Sequence, residues 1–513
     1  MKRRFRVVAI TAVAFVLARG AAQPRAASKW VELRSANFLL QGDAPERDVR
    51  EVARHLEEFR ETLSRLLPKA RLETTAPTVV LVFSSNKVYE PFKPTYEGKP
   101  MAVPGYFFSS RDINYVTMVL GDRADPFPIV FHEFTHQMIR ATIGETPAWF
   151  NEGIAEFYST FAVSDDRKQA YVGGVVENYV LMLRDKFLPL AELFAANHAS
   201  ALYNDAKQRQ MFYAESWALM HYMLIGKPER MPQMFAFLAK LSSKTPVEQA
   251  CQDAFGVELP TLEGEVRSYV GRVAFSGRKI TFSEPIDARA SGAARPLAQA
   301  TVDARLGDLL MRMNRPTEGE PLLQSALKLD PTDLQALLSM GELCLRQKKS
   351  AEALGHLRAA AASYASSFEA HQALGIALVR RTGRPGAGQL AEARKAFGRA
   401  LELQPDAPES TAGLGWVLML SHERLDEAQR LAERAVELAP FEPDHVVLLA
   451  QVLAQRNQFA AARQRLGPLM VSDRPEVREQ ARALMALIAN FEQQGKGGRG
   501  SVPKDPDSTD VRR

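Results

Sequence analysis

The stretch FHEFTHQMIRATIGETPAWFNEGIAEF, residues 131–157, gathers residue types that can do chemistry together. His132 and His136 are four apart, so on a helix they lie on one face, one turn apart, and two imidazoles can share one metal ion. Glu133 sits between them, toward the open side of such a metal, where a carboxylate can take a proton from a bound water. A catalytic metal needs a third protein ligand and keeps a fourth position open. Glu152 follows His136 by sixteen residues, and Glu156 lies one turn further on the same face of a second helix. One of the two carboxylates can ligate the metal while the other holds the free N–H of a ligating imidazole. The short connection 141–146 lets the two helices pack side by side, and small Gly153 and Ala155 predict that they approach closely.

These helices need a frame. Residues 30–41, WVELRSANFLLQ, alternate like a strand. Val49, Val52, Leu56, Phe59, Leu63 and Leu66 form a helical stripe. The β-branched run 78–84, TVVLVFS, reads as a buried strand. Residues 106–108 and 115–120 read as a hairpin around Ser109–Asp112. A small, mostly antiparallel sheet therefore precedes the histidines. Pro126 and Pro128 open the histidine helix, which ends near Gly144, and Pro147 opens the glutamate helix. Further helices are expected around 174–186, 211–225, 231–242 and 260–273.

Residues 132–157 resemble the gluzincin branch of zinc metallopeptidases, the peptidase MA-like group. The family pattern is His-Glu-x-x-His followed by a helix with Asn-Glu-x-x-x-Asp/Glu, and Trp149-Phe150-Asn151-Glu152-Gly153 is close to its aminopeptidase version. The resemblance implies His132, His136 and Glu152 as ligands of one Zn2+ per chain, Glu133 as general base and Glu156 as the acid behind a ligating histidine. The gap from His136 to Glu152 is shorter than in the better-known members, which marks a separate subfamily and leaves the choice between Glu152 and Glu156 resting on reach; the first turn, with Glu152, is favoured. Gluzincins also supply a hydrogen-bond donor to the oxyanion. Tyr213, 61 residues after Glu152, is at a suitable distance; His221 is the other candidate, with a core role as its alternative. An edge strand pairs with the substrate backbone in this family, and the strand 115–120 is the candidate, its alternative being an interior place.

Gly307, Gly341 and Gly375 recur every 34 residues, Gly415 follows after 40 across the Gly/Pro-rich insertion 382–388, and Ala450 follows after 35. This resembles the tetratricopeptide repeat, with a small residue where two helices touch. The expected organisation is α+β: a zincin-like metallopeptidase domain of a small sheet plus helices over 28–275, a linker at 276–297, an all-α repeat solenoid with a capping helix over 298–492, and a disordered tail at 493–513.

The N-terminus carries Lys2, Arg3, Arg4 and Arg6, then the apolar run Val7–Ala18, then small residues to Ala22. That order is a secretory signal peptide at 1–22, so the chain is expected to be exported, periplasmic or secreted in a bacterium, or membrane-anchored if the segment stays uncleaved. Cys251 and Cys344 are the only two cysteines, which excludes a cysteine zinc cluster. A net charge of +5 with mixed signs offers no stripe for nucleic acid. The sequence therefore points to an exported zinc peptidase acting on peptides or proteins, with a repeat array for a protein partner. Two alternatives stand: a repeat-based interaction protein whose metallopeptidase-like domain is non-catalytic, and a hydrolase of another bond on the same scaffold.

Overall fold

The computed structural model describes residues 30–496, apart from 71, 73–75, 97, 111–112, 121–124, 198–199, 201, 203–204, 273–274, 288–291, 381–384, 423 and 473. The segment 1–22 read as a signal peptide and the tail beyond Lys496 lie outside them.

Among the described residues the frame is a six-stranded sheet. Its strand order is Arg295–Pro296, Val31–Arg34, Phe38–Gly42, Thr78–Phe83, Asn114–Val119 and Gly105–Ser109. The stretch read as one strand at 30–41 is a hairpin: Ser35 N–H donates to the carbonyl of Phe38, and Leu33 pairs with Leu40 across the turn. The sheet is mixed. Its three central strands run parallel, and antiparallel pairing is confined to the flanks. The helix Glu46–Leu66 makes the crossover between the first parallel pair.

Parallel central strands are buried on both faces, which is why TVVLVF is apolar throughout. Val80, Val82, Val116 and Met118 face the core shared with the helices Glu46–Leu66 and Phe127–Thr142. Val79, Leu81, Phe83, Tyr115 and Val119 face the opposite way, against Val302, Leu306, Leu309 and Leu310. Those four belong to Gln299–Arg312, the first helix of the repeat array. The array is thus the second cover of the sheet. Buried polar contacts fix the seam: Tyr115 Oη donates to Asp308 Oδ2 at 2.6 Å, Arg312 Nε donates to the same oxygen at 2.8 Å, and Ser339 Oγ donates to Asp308 Oδ1 at 2.7 Å.

The stretch 276–297 is not a spacer. Arg278–Thr281 pairs with Gln169–Val172, and Arg295–Pro296 adds an edge to the main sheet. Both are short edge strands with mostly exposed side chains, so no hydrophobic period marks them. Residues 115–120 are interior, and the edge beside the histidine helix is Gly105–Ser109. The helices Leu190–Ala195 and Val247–Phe255 also escaped the sequence pattern.

Among the described residues the array has five helix pairs, beginning at Gln299, Leu334, Phe368, Pro408 and Pro443, and then the helix Pro475–Lys496. A side chain at Gly307, Gly341 or Gly375 would strike Leu323, Leu357 or Phe397 of the paired helix at under 3 Å, so these positions are where each pair closes. The far end of the array returns to the first domain. Phe441 lies against Gly144, and Ser472 Oγ donates to Glu145 Oε2 at 3.1 Å.

A chain ending at 297 should expose the Val79–Tyr115 face, at about 1.5–3 kcal/mol for each uncovered apolar side chain, and should aggregate. A chain ending at 365, which keeps two helix pairs, should elute as a folded species. Size-exclusion chromatography with circular dichroism checks this; a soluble, cooperatively melting 30–297 fragment would contradict the shared core.

Candidate metal centre

Three helices build the site. Phe127–Thr142 buries Val130, Phe131, Phe134, Met138 and Ile139 on one face and turns His132, Glu133 and His136 to the other. After a tight turn at Gly144, φ +88°, Ala148–Ser159 packs beside it and carries Asn151, Glu152 and Glu156. Ala206–His221 packs on that helix and carries Tyr213. The close approach that Gly153 permits is to this third helix, not to the histidine helix: a Cβ on Gly153 would lie 2.3 Å from the Ser216 carbonyl.

The sequence-predicted ligands converge. His132 Nε2 and His136 Nε2 are 2.9 Å apart, and Glu152 Oε2 lies 3.2 and 3.4 Å from them. His132 Nδ1 is 3.3 Å from Glu156 Oε1, and His136 Nδ1 is 3.0 Å from Asn151 Oδ1. With each Nδ1–H donated to those oxygens, both Nε2 atoms present lone pairs toward a carboxylate oxygen. Three electron-rich atoms at this distance repel one another unless a cation lies among them. Bonds of about 2.1 Å at tetrahedral angles set ligand atoms about 3.4 Å apart, so the donor set fits a divalent ion in type and spacing. Among the described residues, these three form a group able to hold a metal. Of the two acids, Glu152 faces both Nε2 atoms, while Glu156 faces the Nδ1 side of His132.

The electrostatics agree with this geometry. Burial alone would lower the pKa of His132, but Glu152 and Glu156 outweigh it and hold it up at about 10, so a proton substitutes for the cation. Burial works to raise the Glu152 carboxyl, yet its bonds to His132 and His136 hold it well below the usual range. Glu133 is raised, by burial first, with the two histidines opposing and Glu152 adding to it. A carboxylate raised toward neutrality accepts and returns a proton more readily than an ordinary one. Tyr106 of the edge strand lies within electrostatic reach of Glu133.

Tyr213 comes to the site, its ring 6.4 Å from that of His132. His221 does not. It is fully buried, its Nδ1 bonded to Tyr269 Oη at 2.7 Å and its Nε2 to the Gly173 carbonyl at 3.0 Å, so it is a satisfied core histidine. Two members of the site had no role in the sequence reading. Asn151 was visible only as a neighbour of Glu152. Tyr179, which lies within electrostatic reach of Glu156, comes from the separate helix Glu177–Asp185 and left no signal.

The family model described as "Protein of unknown function (DUF1570)" matches residues 128–248, which include His132, Glu133, His136, Glu152, Glu156 and Tyr213. A tetratricopeptide-repeat family model matches 304–381, 386–421 and 420–467, so this C-terminal stretch is a tetratricopeptide-repeat solenoid. No curated protein matches the chain. Solved structures that it resembles include a thermophilic tetratricopeptide-repeat protein in Thermus thermophilus, 21% identical over 38% of this chain and 99% of that one, TM-score 0.31. Another is YrrB, a tetratricopeptide-repeat protein with an unusual peptide-binding site, 20% identical over 36% and 92%, TM-score 0.29. A third is PilW, a type IV pilus biogenesis factor, 18% identical over 39% and 94%, TM-score 0.32.

Two outcomes test this packing. Gly153→Ala drives a methyl group into the Ser216 carbonyl and should destabilise the fold by about 2–3 kcal/mol, read by denaturant unfolding; an unchanged midpoint would show that the helices are not in contact there. On the same third helix, buried Glu215 accepts the Leu188 N–H at 2.9 Å, and its pKa is raised, by burial first, from 4.5 to about 8. Folded Glu215 binds its proton more tightly than the unfolded chain does. Its contribution is therefore present below pH 4.5 and is lost as pH rises toward 8. Glu215→Gln should remove a stability decline on the order of 3 kcal/mol, seen as a flatter melting-temperature profile between pH 5 and 9. Parallel profiles for the two proteins would contradict this.

Proposed function

We propose that the chain is an exported, zinc-dependent peptidase that cleaves peptide bonds with water, using its repeat array to hold a protein or peptide. The observation that carries this reading is the convergence of His132 Nε2, His136 Nε2 and Glu152 Oε2 within 3.4 Å, with Glu133 beside them and not among them.

His132, His136 and Glu152 would hold one zinc per chain. When bound, zinc acidifies a water molecule and polarises the scissile carbonyl. Glu133 would take a proton from an attacking water as the water oxygen bonds to the carbonyl carbon. It then hands the proton to the leaving nitrogen as the C–N bond breaks. Tyr213, whose ring lies 6.4 Å from that of His132, would donate its hydroxyl to the oxygen that gains charge. Glu156 and Asn151 keep the imidazoles in the tautomer that frees Nε2. The open side of the Gly105–Ser109 edge offers backbone groups to an extended substrate, the role the sequence reading gave to 115–120.

A second reading has its own support. The repeat match favours an interaction protein in which the array binds a partner and the first domain holds metal without catalysing a reaction. One of the resembling proteins, YrrB, carries a peptide-binding site by its own description. Both readings put the array to the same use. For location, the reading rests on the basic-then-apolar segment 1–22. No described helix is long and apolar enough to cross a membrane.

Glu133→Gln separates the two. In the chain without residues 1–22, both wild type and variant should retain about one zinc, measured by mass spectrometry of metal content, while casein cleavage falls by about 10²–10⁴-fold in the variant. Zinc in both with cleavage in neither would favour the interaction protein.

A further inference from the structure

Gly144 stands midway between two of the ligands, eight residues after His136 and eight before Glu152. It follows the end of the histidine helix in the left-handed region, φ +88°, with its N–H donated to the Arg140 carbonyl at 3.1 Å. The turn 143–147 is the covalent joint between the two ligand helices. Eight helical residues make a lever of about 12 Å. An opening of about 5° at the joint therefore moves a ligand atom by about 1 Å, twice the roughly 0.5 Å that a working site tolerates. The turn has to be held.

A ring from the far end of the chain lies on it. A Cβ at Gly144 would meet Phe441 Cδ1 at 2.6 Å and its Cγ and Cε1 at 3.0 Å, so the ring rests directly on the glycine. The next residue is held as well, since Ser472 Oγ donates to Glu145 Oε2 at 3.1 Å. Phe441 is also out of keeping with its own repeat. It stands two residues before the helix that opens at Pro443; the same place before Leu334, Phe368 and Pro408 holds Thr332, Ser366 and Asp406, all exposed. A polar residue suits a solvated turn between repeats. The phenylalanine remains 47% exposed, so little folding energy is tied to it, and its contact with the array's own core does not account for it. The array can bear on the turn because its first helix is built into the sheet through Val302, Leu306, Leu309 and Leu310.

We propose that Phe441 is a positioning residue of the metal centre: the repeat array seats its ring on Gly144, and the turn so held keeps His136 and Glu152 at ligand spacing. This rests on the zinc reading of the preceding subsection. The dependence is reciprocal, because coupling between two places is a single free energy. If the seated ring favours zinc, bound zinc steadies the loop 439–442.

The test needs no substrate. The full chain is stripped with a chelator, and its zinc dissociation constant is measured by competition with a chelating dye. Phe441→Ser, which installs the residue type found at 366, should weaken zinc binding about 5-fold or more, with the metal-free melting temperature unchanged. Phe441→Tyr should bind as wild type does, because Cζ is not among the ring atoms nearest the glycine. Wild-type affinity in Phe441→Ser, or equal losses in both variants, would overturn the inference. Hydrogen exchange followed by mass spectrometry reads the reverse direction: zinc should slow exchange in the wild-type peptide spanning 439–445, and should not do so in Phe441→Ser. If Phe441→Ser does not fold, the wild-type exchange decides alone, and a loop indifferent to zinc overturns the proposal. A wild-type chain that binds no zinc would instead sink the metal reading beneath it.

Discussion

Three electron-rich atoms lie within 3.4 Å of one another at the centre of the first domain, and the rest of that domain is what holds them there. Such an arrangement is unfavourable by itself, so a proton on His132 relieves it in the absence of a metal. The helix that carries the histidines cannot rotate away, because its apolar face is locked into the core against the sheet. The helix that carries Glu152 cannot retreat, because Gly153 is pressed on the Ser216 carbonyl behind it. Glu156 and Asn151 then fix the imidazole rings. Site geometry is thus an outcome of packing on both sides of the ligand helices.

The sheet on which this rests is not complete within the first domain. Its second face is covered by Gln299–Arg312, and the buried Tyr115–Asp308–Arg312 contacts run through the seam. The first helix of the solenoid is therefore part of the core that supports the His132–His136–Glu152 cluster. At its other end, the array touches Gly144 and Glu145, in the turn that joins the two ligand-bearing helices. The array is thus anchored at the back of the sheet and in contact beside the site. Among the described residues that second contact includes the Phe441 ring and the Ser472–Glu145 hydrogen bond.

Much of this was legible in the residues. The histidine pair, Glu133, Glu152 and Glu156 are read from helical spacing, and the structure brings all five together because spacing of four on a helix leaves little freedom. The repeat period was equally plain, since a small residue is required wherever two helices of a pair touch. What failed was pairing at a distance. Residues 276–297 lack a period because edge strands with exposed faces carry none. The interior place of Asn114–Val119 depends on which strand lies beside it, which alternation does not specify. The apolar run 78–83 did signal burial on both faces, but not that a helix more than two hundred residues later provides the second cover. His221 and Tyr213 lie on one helix, and only tertiary packing decides that one meets His132 while the other meets Tyr269.

The central claim is that His132, His136 and Glu152 together form a metal centre. Its most direct test is the zinc X-ray absorption spectrum of the full chain loaded with one equivalent of zinc and then dialysed. The account predicts retained zinc with imidazole scattering from two histidines, a light-atom shell at about 2.0–2.1 Å, no sulfur, and loss of that spectrum in Glu152→Ala. Zinc that washes out of the wild type, or a spectrum unchanged by Glu152→Ala, would contradict it.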